Sequence, residues 1–241
     1  MSRTNTIPWI RILVEGGAIV VSILLAFGID AWWADRQAAE EEQVAVERLG
    51  DDFVATRAGL TNTIQVIEET RERFSRFSSA SPASVLATPT DSTALVMTAL
   101  VNAITFDPIS GSLDALVSGG RLGMVGSAAL RETLASWLKN VEDMKENEAD
   151  VRSGALRVVR AMESHGGPFH NSISLLSEDD LAVLPQAGPA TLTEMRRDEA
   201  LMGAARSFHY SRTLYLRELK RIEPVLDSVL ALIEESLGRE R

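Results

Sequence analysis

The chain contains no cysteine. Disulfides, thiolate metal sites and cysteine nucleophiles are therefore excluded, while the compartment stays open, because a cysteine-free protein suits either side of a membrane. Histidine is nearly as scarce. His165, His170 and His209 show no metal-ligand spacing, and none lies in or beside the apolar stretch near the start, so that stretch offers no axial imidazole to a haem. Basic residues are in the minority, 24 Lys and Arg against 34 Asp and Glu, for a net charge of -10. That balance argues against nucleic acid as a partner, which needs a basic footprint, and against docking flat on anionic lipid. Glycine-rich phosphate loops, Ser-His-Asp orders and His-Glu-x-x-His are missing. The segment from Gly119 through Gly120 and Arg121 to Gly123 has an anion-loop look but follows no strand pattern, so it reads as a helix cap and turn. No residue is assigned a catalytic, cofactor-binding or metal-binding role, and no enzyme activity and no cofactor are expected.

What is present is a single apolar stretch, Trp9 to Trp33, on which the rest of the chain is organised. Trp9 and Trp32 would lie about 34 Å apart in a helix, which suits a hydrocarbon core of roughly 30 Å with an aromatic anchor at each interface. The run without ionisable residues, Gly16 to Ile29, is short for a span, so Glu15 is expected just inside one interface. Two rivals stand beside the span: a cleavable signal sequence, with Ala26-Phe27-Gly28 as a cleavage site, and a buried helix of a soluble core. The flanking tryptophans and the change of polarity after Asp35 argue against the buried helix. The division expected is a cytoplasmic tail over 1–8, a transmembrane helix over 9–33 and an extracytoplasmic helical domain over 34–241. The tail's Arg3 and Arg11 give a modest charge bias that puts the N-terminus in the cytoplasm and the domain in a periplasm-like space.

Beyond the span the dominant signal is helical. Ala34 to about Ser78 has no proline and repeats apolar residues at Val46, Leu49, Phe53, Leu60, Ile64, Ile67, Phe74 and Phe77. Nothing interrupts the pattern at Trp33, so the anchor is expected to run straight into this helix. Shorter helices are expected over Ser92–Phe106, stopping before Pro108, and from near Ser110 to the glycine pair 119–120. A long helix capped by Ser127 carries Leu130, Leu134, Trp137, Val141, Met144, Val151, Ala155, Val158 and Met162 at alternating four and three spacings, with Glu148 in the one remaining slot. A long connection over 168–190, with a short helix Ser177–Leu184, permits a crossover. Thr191 and Glu194 form a capping-box signature for a last helix to about Leu237. Its stripe is Leu201, Ala205, Phe208, Tyr215, Leu219, Ile222, Leu226, Val229 and Ile233, with a kink at Pro224. The fold class is all-α: a single N-terminal transmembrane helix continuing into a periplasmic antiparallel helical bundle.

Two segments resemble a family of bacterial single-span membrane proteins of unknown function. Glu15, Ser22-Ile-Leu-Leu-Ala26, Ile29 and Trp32 are similar to its anchor pattern of Glu, Gly-Ile-Leu-x-Ala and Ile-x-x-Trp, with Ser22 where glycine is usual and Asp30 where asparagine is common. Ser112 through Val125, followed by Leu130-Arg131, resembles its mid-domain Ser-Gly-x-Leu segment. The resemblance implies a topology and brings no activity.

Within the anchor, Glu15, Ala18, Ser22, Ala26 and Asp30 fall on one helix face, and Val20, Val21, Leu24 and Phe27 on the other. Spacing small residues by four lets helices approach closely, so the first face is expected to pack against protein, with Trp9, Trp32 and Trp33 as interface anchors. Glu148 and Arg212 each interrupt an apolar stripe, and a buried pair between them, or with Arg71, is expected. The functional expectation is a non-catalytic accessory or scaffold subunit of a larger inner-membrane complex, an energy-converting one (photosynthetic or respiratory) in one version. Its partners would be other membrane protein subunits and the lipid bilayer. The alternative is a membrane-tethered bundle that binds a small ligand in its core or its long connection.

Overall fold

The computed structural model describes residues 9–125, 127–167, 169 and 186–239; the side chains of 9–16, 19, 90, 91 and 239 also lie outside the description. The regular structure of the described residues is all helical, with no strand. The helices are α1 (Trp9–Ser79), α2 (Pro82–Leu86), α3 (Thr90–Val101), α4 (Gly111–Ser118), α5 (Ala128–Met162), α6 (Pro189–Arg197) and α7 (Glu199–Arg239). Single 3-10 turns follow α4 and α5.

The bundle is built on α1, α5 and α7. All three carry a heptad-like alternation, and nearly every slot is buried. In α1 the slots that the apolar pattern leaves empty are filled by Thr56, Thr63 and Thr70, seven residues apart and all buried. α1 and α7 run antiparallel. Gly50 lies against Ile233, Arg57 bonds Glu223 and Asp227 at 3.1 and 2.7 Å, and Arg71 donates to the Thr213 hydroxyl at 3.1 Å. α5 runs beside α1 in the same sense, with Phe53 and Trp137 rings 5.5 Å apart, and meets α7 where Gly154 sits under Phe208. The chain returns between α1 and α5 through α2, α3 and α4, a downward stroke broken into pieces. The result is an up-down-up-down arrangement.

Between α3 and α4 the chain is extended over 102–110, and its backbone has no ladder or helix to satisfy it. Side chains from all three long helices supply the partners. The Tyr215 hydroxyl accepts from the Phe106 N–H at 2.7 Å. Thr56 both accepts from the Ile109 N–H at 3.0 Å and donates to its carbonyl at 3.3 Å. Arg212 donates to the carbonyls of Ala99 and Asn102 at 2.6 and 2.8 Å, and Arg152 reaches the Thr105 hydroxyl at 3.2 Å.

This corrects the expected pair. Arg212 does face the interior, 2 % exposed, but its partners are the last carbonyls of α3 and the face of Phe208, 3.9 Å away. Burial pushes its guanidinium down to about 9, which leaves it charged at neutral pH. Glu148 bonds Arg152 one turn along α5, at 2.9 Å from Nε. Arg71 bonds Thr213. The partners of Arg212 thus come from the fourth stroke of the bundle, at the end of α3.

Other boundaries shift for local reasons. α3 ends at Val101 rather than Phe106, because continuing it would forfeit the bonds to 102–110. The last helix is two: α6 stops at Arg197, and Asp198 caps α7 through the N–H groups of Ala200 and Leu201 at 2.8 and 3.0 Å. Thr191 stands at the third position of α6, where its hydroxyl accepts from the Gly188 N–H at 3.3 Å; it is not the cap residue. α7 is continuous through Pro224. Ser127 caps α5 as expected, accepting from the Leu130 N–H. The helix expected at Ser177–Leu184 lies outside the described residues.

Two substitutions test the clamp on the extended stretch. Tyr215→Phe leaves the Phe106 N–H without its partner and is expected to cost about 1–3 kcal/mol. Arg212→Met strands two carbonyls and is expected to cost about 3 kcal/mol. Urea unfolding of each variant beside the wild type reads both; a neutral Tyr215→Phe would show that the clamp contributes nothing.

Candidate functional site

The candidate site lies where α1 leaves the bundle. Its apolar heptad begins at Val46, and toward the N-terminus the helix continues with its described side chains exposed as far as Glu41. Between Val20 and Trp33 the large apolar side chains are 49 to 67 % exposed, on every side of the helix. A helix that is apolar all round is otherwise found in a protein core or a membrane. Among the described residues no helix is long and apolar enough to cross a membrane. The segment 9–33 that the sequence argument uses includes 9–16 and 19, whose side chains lie outside the description.

The side chains of Trp9 and Glu15 are among those outside the described residues. Ala18, Ser22, Ala26 and Asp30 are exposed and share a stripe of one helix turn per step. The Ser22 hydroxyl donates to the Ala18 carbonyl at 2.8 Å, so the polar atom is satisfied inside the helix, as an apolar surrounding requires. Asp30 carries no ion pair among the described residues. Trp32 and Trp33 are exposed, with ring centroids 6.3 Å apart. Beside this stripe Val21, Leu25, Gly28 and Trp32 form an apolar trough with Gly28 as its notch.

At the foot of the bundle α1 and α4 enclose a groove of about 590 Å³. Gln37, Glu41, Val44 and Arg48 line it from α1, and Ser112 and Ala115 from α4. Asp52 fixes α4 there by accepting from the Ser112 N–H at 2.9 Å, a helix cap supplied from another helix that no sequence spacing discloses. Arg121 closes the far edge with a 3.1 Å ion pair to Glu41. The pair Gly119–Gly120 is a helix cap, as expected: Gly120 has φ of 64°, and the N–H of Arg121 bonds the Leu116 carbonyl at 2.8 Å. The segment 112–125 forms α4 and its cap, and meets α1 at Glu41 and Asp52, beyond Trp33.

The two described histidines, His165 and His209, do not converge. His165 bonds Asp198 at 2.9 Å, joining the end of α5 to the start of α7. His209 stacks on Phe74 with ring centroids 4.9 Å apart, and its buried Nδ1 has no hydrogen-bond partner. Burial, then the nearby Arg71 and Arg212, lower its proton affinity. His170 lies outside the described residues. No group of three His, Asp or Glu with metal-site geometry occurs among the described residues.

No protein-family model matches the chain, and no curated protein or solved structure matches it either.

The Asp198 contact yields a pH prediction. The Leu201 N–H first, and then the His165 ring, hold the Asp198 carboxyl below the usual carboxylate range. A depressed folded-state value means stabilisation that is complete above the ordinary Asp value of about 3.9 and is lost as pH falls through the folded value. Asp198→Asn keeps the cap oxygen but loses the charge. Its Tm should fall below wild type at neutral pH and converge with it in strong acid; parallel curves would remove Asp198 from the acid response.

Proposed function

We propose that the protein is a non-catalytic accessory subunit of a membrane complex, held by the first part of α1 and covering its partners with the helical bundle. The observation that carries the reading is the apolar surface from Val20 to Trp33, exposed around the whole helix and uncovered by any other described residue. A soluble protein seldom leaves so continuous an apolar surface open. In a bilayer the same surface has lipid or another helix as its partner. The tryptophan pair at its end suits an interface, and the resemblance to single-span bacterial membrane proteins agrees with that placement. An inner-membrane location with the bundle in the periplasm follows from the charge bias of the tail.

In this reading the stripe Ala18, Ser22, Ala26 and Asp30 packs on a partner helix, and the groove between α1 and α4 receives that partner's extramembrane part. The groove belongs to the foot of the bundle and lies within the reach of a subunit that crosses the same membrane. The bundle interior offers little room for the alternative, a ligand held in the core, because its heptad slots are closed by side chains.

The absence of cysteine makes the test clean. Single cysteines placed by Ser22→Cys, Ala26→Cys and Leu24→Cys, carrying a photoactivatable probe, are compared in native membranes. The first two are expected to crosslink to a co-purifying membrane subunit, and Leu24→Cys to lipid. Recovery of the chain in the soluble fraction after cell breakage, or crosslinks only from Leu24→Cys, would overturn the docking scheme.

A further inference from the structure

The opposite end of the bundle carries a second site. There α2, α6 and α7 meet the end of α1 around a cleft of about 170 Å³, lined by Arg196, Arg197 and Arg206 together with Ser78 and Thr193, and by no carboxylate among the described residues. In a chain where acids outnumber bases, many arginines find a carboxylate, among them Arg57, Arg73, Arg121, Arg152 and Arg221, while Arg71 and Arg212 bond a hydroxyl and two carbonyls instead. The three at this cleft have none among the described residues. Arg196 is half-buried and spends one N–H on the Ser78 carbonyl at 3.2 Å. Arg197 and Arg206 are exposed with their donors free.

Their convergence is built by the break between α6 and α7. Arg196 and Arg197 occupy the last turn of α6, where cations suit the helix dipole. Asp198 then caps α7 and is tied to His165, which sets the angle at which Arg206, two turns on, faces back toward α6. Three guanidinium groups around one cleft repel one another, and an anion with several acceptor oxygens relieves that repulsion. Guanidinium forks match the oxygens of a tetrahedral phosphate two at a time, and a phosphate monoester brings close to two negative charges.

We propose that this cleft binds the phosphate group of a soluble phosphate monoester, with Arg197 and Arg206 as its principal ligands and Arg196 as the positioned third. A membrane lipid is the other source of such a group. α1 runs unbroken from Trp33 to Ser78, roughly 45 residues or about 68 Å, so under the proposed span a phospholipid of the same bilayer does not reach the cleft. Only this choice of source rests on the membrane reading; the cleft's chemistry does not.

The test uses the full chain in detergent micelles and in nanodiscs, with inorganic phosphate and glycerol 3-phosphate as probes at constant ionic strength. Saturable binding by calorimetry is expected, with Tm raised by roughly 3 °C at ten times Kd. The double variant Arg197→Gln, Arg206→Gln should keep the unliganded Tm and bind at least tenfold more weakly. Arg197→Lys with Arg206→Lys should fall between, because charge survives but the fork is lost. An equal response to chloride, or a double variant that titrates like wild type, would overturn the site. A response seen only with phosphatidic acid in nanodiscs, and not with the soluble probes, would overturn the soluble ligand. Crosslinking from Ser22 and Ala26 reports on the membrane reading separately.

Discussion

The constraint on which the bundle depends is the backbone of residues 102–110. An extended segment inside a helical protein brings donors and acceptors that no neighbouring strand can satisfy. Thr56 from α1, Arg152 from α5 and Tyr215 with Arg212 from α7 supply what is missing. Each of the three long helices therefore gives up part of an otherwise apolar or solvated face to the same stretch. The cost is visible at Arg212, whose charge is kept in the interior by two carbonyls and an aromatic face rather than by a carboxylate. Burial pushes the Tyr215 hydroxyl up to about 12, so it stays protonated at neutral pH while it accepts from Phe106.

The same arrangement sets where the two proposed sites lie. Because 102–110 is held along the bundle, α4 is delivered to its foot, where Asp52 caps it and Arg121 meets Glu41. The groove beside the stalk follows from that delivery. At the far end the break at Asp198 turns one helix into two and brings Arg206 toward Arg197. One end of the molecule is thus shaped by a crossing segment and the other by a cap, while the heptads between them supply the packing.

Much of this architecture was legible in the residues. The stripes of α1, α5 and α7 have a period that admits one reading, and their slots are the buried core. Ser127 and Gly120 act as the caps their local chemistry foretold. What escaped depends on contacts across long sequence separations. The partners of Arg212 lie more than a hundred residues away, and an apolar pattern says only that the slot is interior, not what fills the space opposite. The buried threonines of α1 hid because threonine is ordinarily a surface residue, although their spacing of seven was a usable signal. The arginine cleft was invisible for a similar reason: Arg196 and Arg197 look like a solvated helix end until Arg206 is folded against them. The anchor stripe was read from the helical wheel alone, and its partners stand outside the chain.

α1 has no interruption between the exposed apolar segment and the last turn that packs on α7. Past the Gly16-Gly17 pair α1 holds no further glycine pair and no internal proline, so it has no marked hinge between Val20 and Ser78 and these two ends move as one rod. With one end seated in a bilayer as proposed, a tilt of about ten degrees would sweep the far end sideways by about 12 Å. The molecule is then a lever: small changes in how the first helix packs against its neighbours become large displacements at the arginine cleft, and a ligand fixed there would resist them at the other end.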